Sequence, residues 1–224
     1  MQRLVAGIHR FQSEYVTSRR ALFQKLSTDG QRPETLFITC SDSRVVPNLF
    51  TNTAPGELFI VRNVGNIVPD VHRGVLGGVS AAIEYAVQVL EVGHVIVCGH
   101  TNCGAIDAIL HPERVAHLPF VARWLSESAS LPALIEDLYR DLDPEARMTA
   151  AVQENVLVQL ENLRSFEFVA NKLDSGMLKV SAWVFKIATG DVFDYDPVSQ
   201  QFLRMGGPGD PETSVLSVRP PSPG

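Results

Sequence analysis

Three short apolar runs constrain the fold of this chain more than any other feature. They are TLFIT (35–39), ELFIVRN (57–63) and HVIVCG (94–99), and each is rich in β-branched or aromatic residues. Runs of strand length that are apolar almost throughout are typical of strands buried on both faces of a parallel sheet. A helical pattern with Gly near both ends (74–93) separates the second run from the third. This strand–helix–strand order predicts an α/β fold with a mainly parallel β-sheet flanked by helices.

The flanking segments predict an N-terminal arm and a C-terminal hairpin. Residues 2–26 carry apolar side chains mostly at steps of three and four, which is typical of one long amphipathic helix or two in tandem. MLKVSAWVFKIATGDVFDYD (177–196) alternates apolar and polar residues around Thr-Gly, which indicates a hairpin that adds an edge strand to the sheet. We expect a helical arm over 1–30, an α/β domain over 31–205 and a disordered Pro/Gly-rich tail over 206–224.

The composition is that of an ordinary globular protein. Of the 224 residues, 45% are hydrophobic and 20% are charged, and the formal net charge is −6 without a cluster of Lys and Arg. We therefore expect no nucleic-acid partner and no membrane partner. The N-terminus lacks an apolar signal region, which favours a cytoplasmic protein. The three cysteines, an odd number, favour free thiols or metal ligands over a disulfide framework.

Two short motifs follow the first and third apolar runs, CSDSR (40–44) and GHTNCG (99–104). Ligands of open α/β sheets bind beyond the carboxyl ends of the strands, so the two motifs can meet there. Cys40, His100 and Cys103 offer two thiolates and an imidazole, a ligand set that suits Zn²⁺. Each signal is weak alone, because a single cysteine at a strand end is more often part of the core. Their combination predicts a zinc site.

Asp42 and Arg44 allow two interpretations. Tetrahedral zinc needs a fourth ligand, which is either a water or a protein group, and Asp42 is the obvious neighbour for that position. An acid and a base two residues apart are otherwise a surface ion pair or turn residues. Cys98 lies inside the third apolar run, and we expect it to be a buried structural cysteine.

The two motifs together resemble the β-class carbonic anhydrases, with Cys40 and His100 sixty positions apart. The resemblance extends across about residues 1–204. Within the family, the sequence is most similar in overall character to bacterial members and to the cyanobacterial carboxysomal subgroup. It implies that the three ligand residues hold zinc and that Asp42 and Arg44 form a catalytic dyad beside it. It also implies an arm that embraces a second subunit, and a homodimer or a higher oligomer of dimers.

The resemblance also implies which form of the family the chain follows. In one form the fourth zinc position holds water, and a glutamine nine residues before the first cysteine helps to hold bicarbonate. In the other, Asp binds zinc in an inactive state, and a tryptophan and a glycine precede the cysteine where this chain has Phe37 and Thr39. The first form is favoured, with Asp42 turned toward Arg44. Its substrate-pocket positions fall on Gln31, Phe59, Val64 and Tyr85.

The implied activity is the zinc-dependent reversible hydration of carbon dioxide to bicarbonate and a proton. Zinc-bound hydroxide is the expected nucleophile, and the Asp42–Arg44 dyad orients it. Two alternatives use the same scaffold: a hydrolase of carbon disulfide or carbonyl sulfide, and a non-catalytic bicarbonate-binding or scaffold homologue. A nucleotide-binding domain is disfavoured, because GVLGG before a helix lacks the full glycine fingerprint. The carboxysomal style makes a carboxysome shell or scaffold protein a candidate partner and the carboxysome a candidate location.

Overall fold

A computed structural model describes residues 1–73, 77–206 and 216, and its centre is one sheet. Six strands in this part of the chain pair in the order β2-β1-β3-β4-β5-β6. The first four are parallel, and β5 and β6 run antiparallel to their neighbours. The predicted mainly parallel α/β fold is confirmed. The strands are β1 (Thr35–Cys40), β2 (Leu58–Asn63), β3 (His94–His100), β4 (Lys179–Lys186), β5 (Asp191–Asp196) and β6 (Gln201–Arg204).

The parallel strands β1, β2 and β3 coincide with the three apolar runs to within one residue at each end. β1 lies between the other two, so its backbone is paired on both sides, and its side chains from Leu36 to Cys40 are buried. Leu36 and Ile38 belong to the main core, and Phe37 belongs to a smaller cluster with Cys98. Since Thr39 is level with Cys98 on β3, the ends of β1 and β3 lie side by side.

Helices cover the face of the sheet that carries the main core. The longest, α8, packs against β3 and β4, and about half of its residues are buried. Among the described residues, no helix is both long and apolar enough to cross a bilayer. The nine α-helices of this part of the chain are α1 (Gln2–Arg10), α2 (Arg20–Asp29), α3 (Pro47–Phe50), α4 (Gly78–Glu84), α5 (Gly104–Leu110), α6 (Pro119–Leu125), α7 (Leu131–Tyr139), α8 (Pro144–Arg164) and α9 (Glu167–Asp174).

Local sequence explains where several helices begin. Prolines lie at the start of α6, α7 and α8, where a missing backbone N–H costs no hydrogen bond. The carboxylate of Asp143 caps α8 by accepting from the backbone N–H groups of Glu145 and Ala146. The helix predicted over 74–93 begins at Gly78, and its second half, Tyr85–Val89, is π-helical. Residues 74–76 lie outside the described part.

The N-terminal arm is present as two helices, α1 and α2, joined through a π-helical segment (Phe11–Val16). Neither α1 nor α2 contains a buried residue, and Leu4 and Ile8 expose 66% and 54% of their surface. The arm approaches the sheet domain at Leu26, whose side chain leaves no room for a Cβ on Gly56. The apolar stripe of α1 therefore has no cover within the described part of this chain.

The C-terminal hairpin is confirmed, but its place in the sheet differs from the prediction. β4 and β5 pair around the Thr189–Gly190 turn. β4, however, lies inside the sheet and is parallel to β3, while β6 forms the edge. The sequence did not predict β6, because four residues are too few to show an alternating pattern. Of the predicted disordered tail only Gly206 and Leu216 are described, so that prediction and the domain boundaries stay predictions.

Candidate metal centre

Cys40 and His100 are brought together by the register of two parallel strands. Cys40 is the last residue of β1, and His100 is the last residue of β3. Both side chains therefore emerge at the carboxyl edge of the sheet, where open α/β folds bind ligands. The fold confirms that the CSDSR and GHTNCG motifs meet in space.

Cys103 reaches the same point through a tight turn after β3. Asn102 has a left-handed backbone conformation, with φ of 54°, which turns the chain back toward the end of β1. Cys103 then takes the N-cap position of α5. The two residues between His100 and Cys103 thus form the connection that lets one turn present both side chains to one point.

The three side chains form a compact and buried group. The two Sγ atoms and a ring nitrogen of His100 lie within 4.8 Å of one another, and the Sγ atoms of Cys40 and Cys103 are 3.9 Å apart. Cys40, His100 and Cys103 expose 5%, 0% and 2% of their surface. Asp42 is not a member of this group.

Hydrogen bonding leaves one nitrogen of His100 free for a ligand. Nδ1 lies 3.0 Å from the carbonyl oxygen of Thr101, to which an Nδ1–H donates. Nε2 is then the unprotonated nitrogen, and it is buried without a hydrogen-bond partner among the described residues. A buried lone pair without a partner costs free energy, and a metal ion shared with two sulfurs removes that cost. The donor set therefore fits Zn²⁺.

The two thiols of the group shift each other's pKa across their 3.9 Å contact. A hydrogen bond from Cys103 lowers the pKa of the Cys40 thiol to about 4, and that same contact raises the pKa of Cys103 above its ordinary value. One thiolate therefore forms readily, which is the state that binds a metal. Both Cys40 and Cys103 would have to be thiolates to hold Zn²⁺, so binding of the metal would release the remaining proton.

Cys98 differs from the other two cysteines, although it also lies near the end of β3. It is fully buried in the smaller cluster with Phe37, and burial raises the pKa of its thiol to about 12. It is not part of the metal-ligand group. A thiol that stays protonated at neutral pH is an inert packing group.

Asp42 and Arg44 form a bidentate ion pair beside the group. Nε of Arg44 donates to Oδ1 of Asp42 at 2.9 Å, and Nη2 donates to Oδ2 at 2.7 Å. The backbone N–H of Arg44 also donates to Oδ1 at 2.9 Å. These bonds hold the pKa of Asp42 well below its usual range and raise the pKa of Arg44. Oδ2 of Asp42 lies 3.8 Å from Nε2 of His100.

A second arginine, which the sequence analysis did not single out, supports the loop that carries Asp42. Arg62 on β2 donates from Nη2 to the carbonyl oxygen of Asp42 at 2.7 Å and from Nε to that of Cys40 at 3.2 Å. Nη2 of Arg44 also donates to the carbonyl oxygen of Asn102 at 3.1 Å. The two arginines thereby tie the CSDSR loop to β2 and to the turn before Cys103.

The helix α8 supports the centre from behind. Gly99 packs so closely against α8 that a Cβ would lie 2.6 Å from Cγ2 of Val156. Asn155 donates from Nδ2 to the carbonyl oxygen of Gly65 at 3.2 Å, which fixes the loop after β2. Sequence reasoning missed these contacts, because nothing in the local pattern of α8 shows which residues it faces.

Comparison with known proteins identifies the family. The family model described as carbonic anhydrase matches residues 35–192. The chain belongs to the carbonic anhydrase family. It is 43% identical to the carbonic anhydrase of Pseudomonas aeruginosa, with 98% of each chain covered. It is 42% identical to that of the cyanobacterium Synechocystis, with 98% of this chain and 78% of the relative covered.

A solved structure places the chain in the β class of carbonic anhydrases. The β-carbonic anhydrase CcaA superposes with a TM-score of 0.87 at 42% identity, covering 90% of this chain and 98% of that one. The resemblance that the two motifs implied is therefore confirmed, together with the fold and the enzyme class. The roles of individual residues stay predictions.

The residues predicted for the substrate pocket of the β-carbonic anhydrase fall into two separate places. Val64 directly follows β2, whose last residue is level with Cys40, so it lies at the metal edge of the sheet. Phe59 is level with Leu36, four residues or about 13 Å back along β1. The ring of Tyr85 lies 6.0 Å from that of Phe59, and Gln31 is exposed before the start of β1. One chain does not bring these three to the metal centre.

A shallow cleft of about 610 Å³ opens beside the metal edge of the sheet. Ser41, Arg62 and Val64 lie on one side of it, and Val79 and Trp124 contribute apolar surface. Nε1 of Trp124 donates to the carbonyl oxygen of Val64 at 2.7 Å, which holds the lining in place. The apolar part of this cleft suits a small uncharged molecule near the centre.

Proposed function

We propose that this chain catalyses the reversible hydration of carbon dioxide to bicarbonate and a proton, with Zn²⁺ held by Cys40, His100 and Cys103. The observation that carries the proposal is the buried group of two sulfur atoms and a ring nitrogen of His100. Nε2 of His100 has no hydrogen-bond partner among the described residues, and the ionised carboxylate of Asp42 lies beside it. Membership of the β-carbonic anhydrases supports the choice of substrate. When bound, Zn²⁺ supplies a Lewis acid that makes a water nucleophilic near neutral pH.

Asp42 orients the attacking water in this proposal. Its carboxylate lies next to the ligand group and stays ionised at neutral pH because Arg44 lowers its pKa. An ionised carboxylate accepts a hydrogen bond from the attacking water, and this bond fixes the direction of the lone pair on the water oxygen. With so low a pKa, Asp42 is a poor store for the proton that the reaction releases, so that proton leaves by another route.

The fourth zinc position is left to solvent and substrate in the proposed active form. For Asp42 to enter it, the three hydrogen bonds from Arg44 to its carboxylate would have to break. Bidentate charge-assisted bonds are among the strongest in proteins. The geometry therefore supports the form in which Asp42 stays with Arg44.

A complete substrate pocket requires a second copy of the chain in this proposal. Val64 lies at the metal edge, whereas Gln31, Phe59 and Tyr85 lie toward the amino ends of the strands. The exposed apolar stripe of α1 supports a dimer, because such a surface is normally covered. A homodimer that brings the amino half of one subunit to the metal edge of the other would complete the pocket.

The two alternative functions share the metal site. A non-catalytic homologue is disfavoured, because the ligand group and the Asp42–Arg44 pair are all in place. A hydrolase of carbon disulfide or carbonyl sulfide would use the same centre and differ in access to it. A carboxysomal location and a shell partner stay predictions from the resemblance.

Stopped-flow measurement of carbon dioxide hydration tests the proposal. The purified protein, a chelator-treated sample and that sample reloaded with Zn²⁺ are compared, and metal content is measured in each. We expect about one zinc per chain, loss of hydration on chelation and recovery on reloading. Zinc-loaded protein without hydration activity would refute the proposal, and carbon disulfide or carbonyl sulfide turnover by the same sample would support the hydrolase.

A further inference from the structure

The C-terminal tail meets the edge of the sheet at Leu216. Its backbone N–H donates to the carbonyl oxygen of Phe202 on β6 at 3.0 Å. Its own carbonyl oxygen accepts a hydrogen bond from Nε2 of Gln153 on α8. Its side chain packs against the main hydrophobic core. Both backbone polar groups of Leu216 and its side chain are thus engaged.

The side chain of Gln153 donates a hydrogen bond to a carbonyl group outside its own helix. It is 0% exposed, and the bond to Leu216 is the side-chain hydrogen bond that the described residues give it. Its Oε1 has no partner among them. Without Leu216, a fully buried amide would lack both a donor and an acceptor interaction in this part of the structure, which is unfavourable.

Phe202 supplies the other half of the contact from an edge strand. Among the described strands, β6 is the last of the sheet, and it pairs with β5. An edge strand offers backbone N–H and C=O groups that another extended segment can pair with. Phe202 itself is buried, and its ring lies 5.3 Å from that of Tyr195 on β5. The side chain that anchors this part of the edge strand is therefore packed in the core.

We propose that Phe202 and Gln153 form a docking slot for an extended segment with an apolar side chain, and that Leu216 of the same chain occupies it. Nine residues (207–215) lie between Gly206 and Leu216, and the ten residue steps reach about 35 Å when extended. Phe202 lies only two residues before the end of β6, so this reach exceeds what docking on the chain's own strand requires. A docked tail covers part of the β6 edge, which blocks pairing with the edge of another sheet.

Hydrogen exchange of the Leu216 amide in the full-length protein tests the slot. We expect exchange at least about 100-fold slower than for an open chain, as for an amide released by local opening. Leu216→Asp and, separately, Gln153→Ala should remove that protection at position 216. Val198→Asp is the matched control, because Val198 is exposed in the turn between β5 and β6 and its change should leave the amide protected.

Amides of β3 are followed in the same samples to show that each variant is folded. Leu216 exchanging at the open-chain rate in the unaltered protein would overturn the proposal. Protection that survives both Leu216→Asp and Gln153→Ala in folded protein would overturn it as well. Neither measurement depends on zinc or on carbonic anhydrase activity.

Mixed oligomers decide between docking within a chain and exchange between copies. A chain with Leu216→Asp keeps an intact slot, and an isotopically labelled chain with Gln153→Ala keeps an intact tail. The two chains are expressed separately, unfolded together and refolded into mixed oligomers, and docking within the chain then leaves the labelled Leu216 amide unprotected. Restored protection would show that the tail crosses to the slot of a second copy and would overturn the assignment to the same chain.

Discussion

The two ends of the parallel strands differ in how complete they are within one chain. At the carboxyl end, the three candidate ligands are buried together, and Asp42 is fixed by three hydrogen bonds from Arg44. At the amino end, Gln31 is exposed, and the described residues leave the apolar stripe of the arm uncovered. The comparison teaches that a single chain brings the three candidate ligands together, whereas it leaves the predicted pocket residues apart.

The largest expected effect is a loss of metal and activity when Cys40 is replaced, but not when Cys98 of the same sheet is replaced. Cys40→Ser should lose both metal and hydration activity, because serine does not replace a thiolate as a zinc ligand. Cys98→Ser is the control and should keep both, since Cys98 lies outside the ligand group. Zinc content and stopped-flow rates measure the outcome. Full zinc occupancy in the Cys40→Ser protein would break the assignment of the carboxyl end.

Asp42→Asn tests whether the carboxylate at the carboxyl end of the strands takes part in catalysis. It should keep zinc but lower kcat by roughly 10²–10⁴-fold, because an amide no longer accepts and orients as a carboxylate does. The loss should be similar from pH 7 to pH 9, since Arg44 keeps Asp42 ionised across that range.

Asp107→Asn on α5 is the matched control for Asp42→Asn. Asp107 is a partly exposed carboxylate paired with Arg114, close in sequence to Cys103. Its replacement should leave kcat within about twofold, because surface ion pairs contribute little. Near-normal turnover in Asp42→Asn would instead make Asp42 a structural residue.

A substitution in the arm tests whether the pocket residues at the amino end of the strands need a second copy of the chain. Ile8→Asp places a charge on the exposed apolar stripe, and it should weaken dimerisation by at least about 10-fold, since burying such a side chain contributes roughly 1.5–3 kcal/mol. Sedimentation over a dilution series measures this, and activity should fall as monomers appear. Val198→Asp, at another exposed apolar site, serves as the control. An active monomer would contradict the need for a second copy.

The smallest expected effect concerns Gln31. Gln31→Ala should reduce kcat/KM by up to about 10-fold, because one hydrogen bond contributes roughly 0.5–1.5 kcal/mol. Zinc content and dimerisation should not change. Gln24→Ala on the exposed surface of α2 is the control, as it removes the same type of side-chain amide from the arm, outside the predicted pocket. Equal rates for both variants would show that Gln31 lies outside the substrate pocket.

Much of the candidate site could be predicted because its signals are local. The β-branched runs specify buried strands, and the spacing of His100 and Cys103 lets one turn carry two ligands. Arg62 was missed, because an arginine within a strand gives no sign that it donates to the carbonyl of Asp42. The fit of Gly99 against Val156 was missed for a similar reason, since it joins residues far apart in the chain.

By itself, the sequence determined the parallel strands, the arm helices, the hairpin and the three residues that can hold a metal. These features depend on residue type and on spacings of a few positions, which short-range sterics and burial control. Only the tertiary structure decided that β4 lies inside the sheet, that β6 is its edge strand and that Gln31 lies away from Cys40. Those features depend on which distant surfaces pack together, and local patterns do not specify that choice.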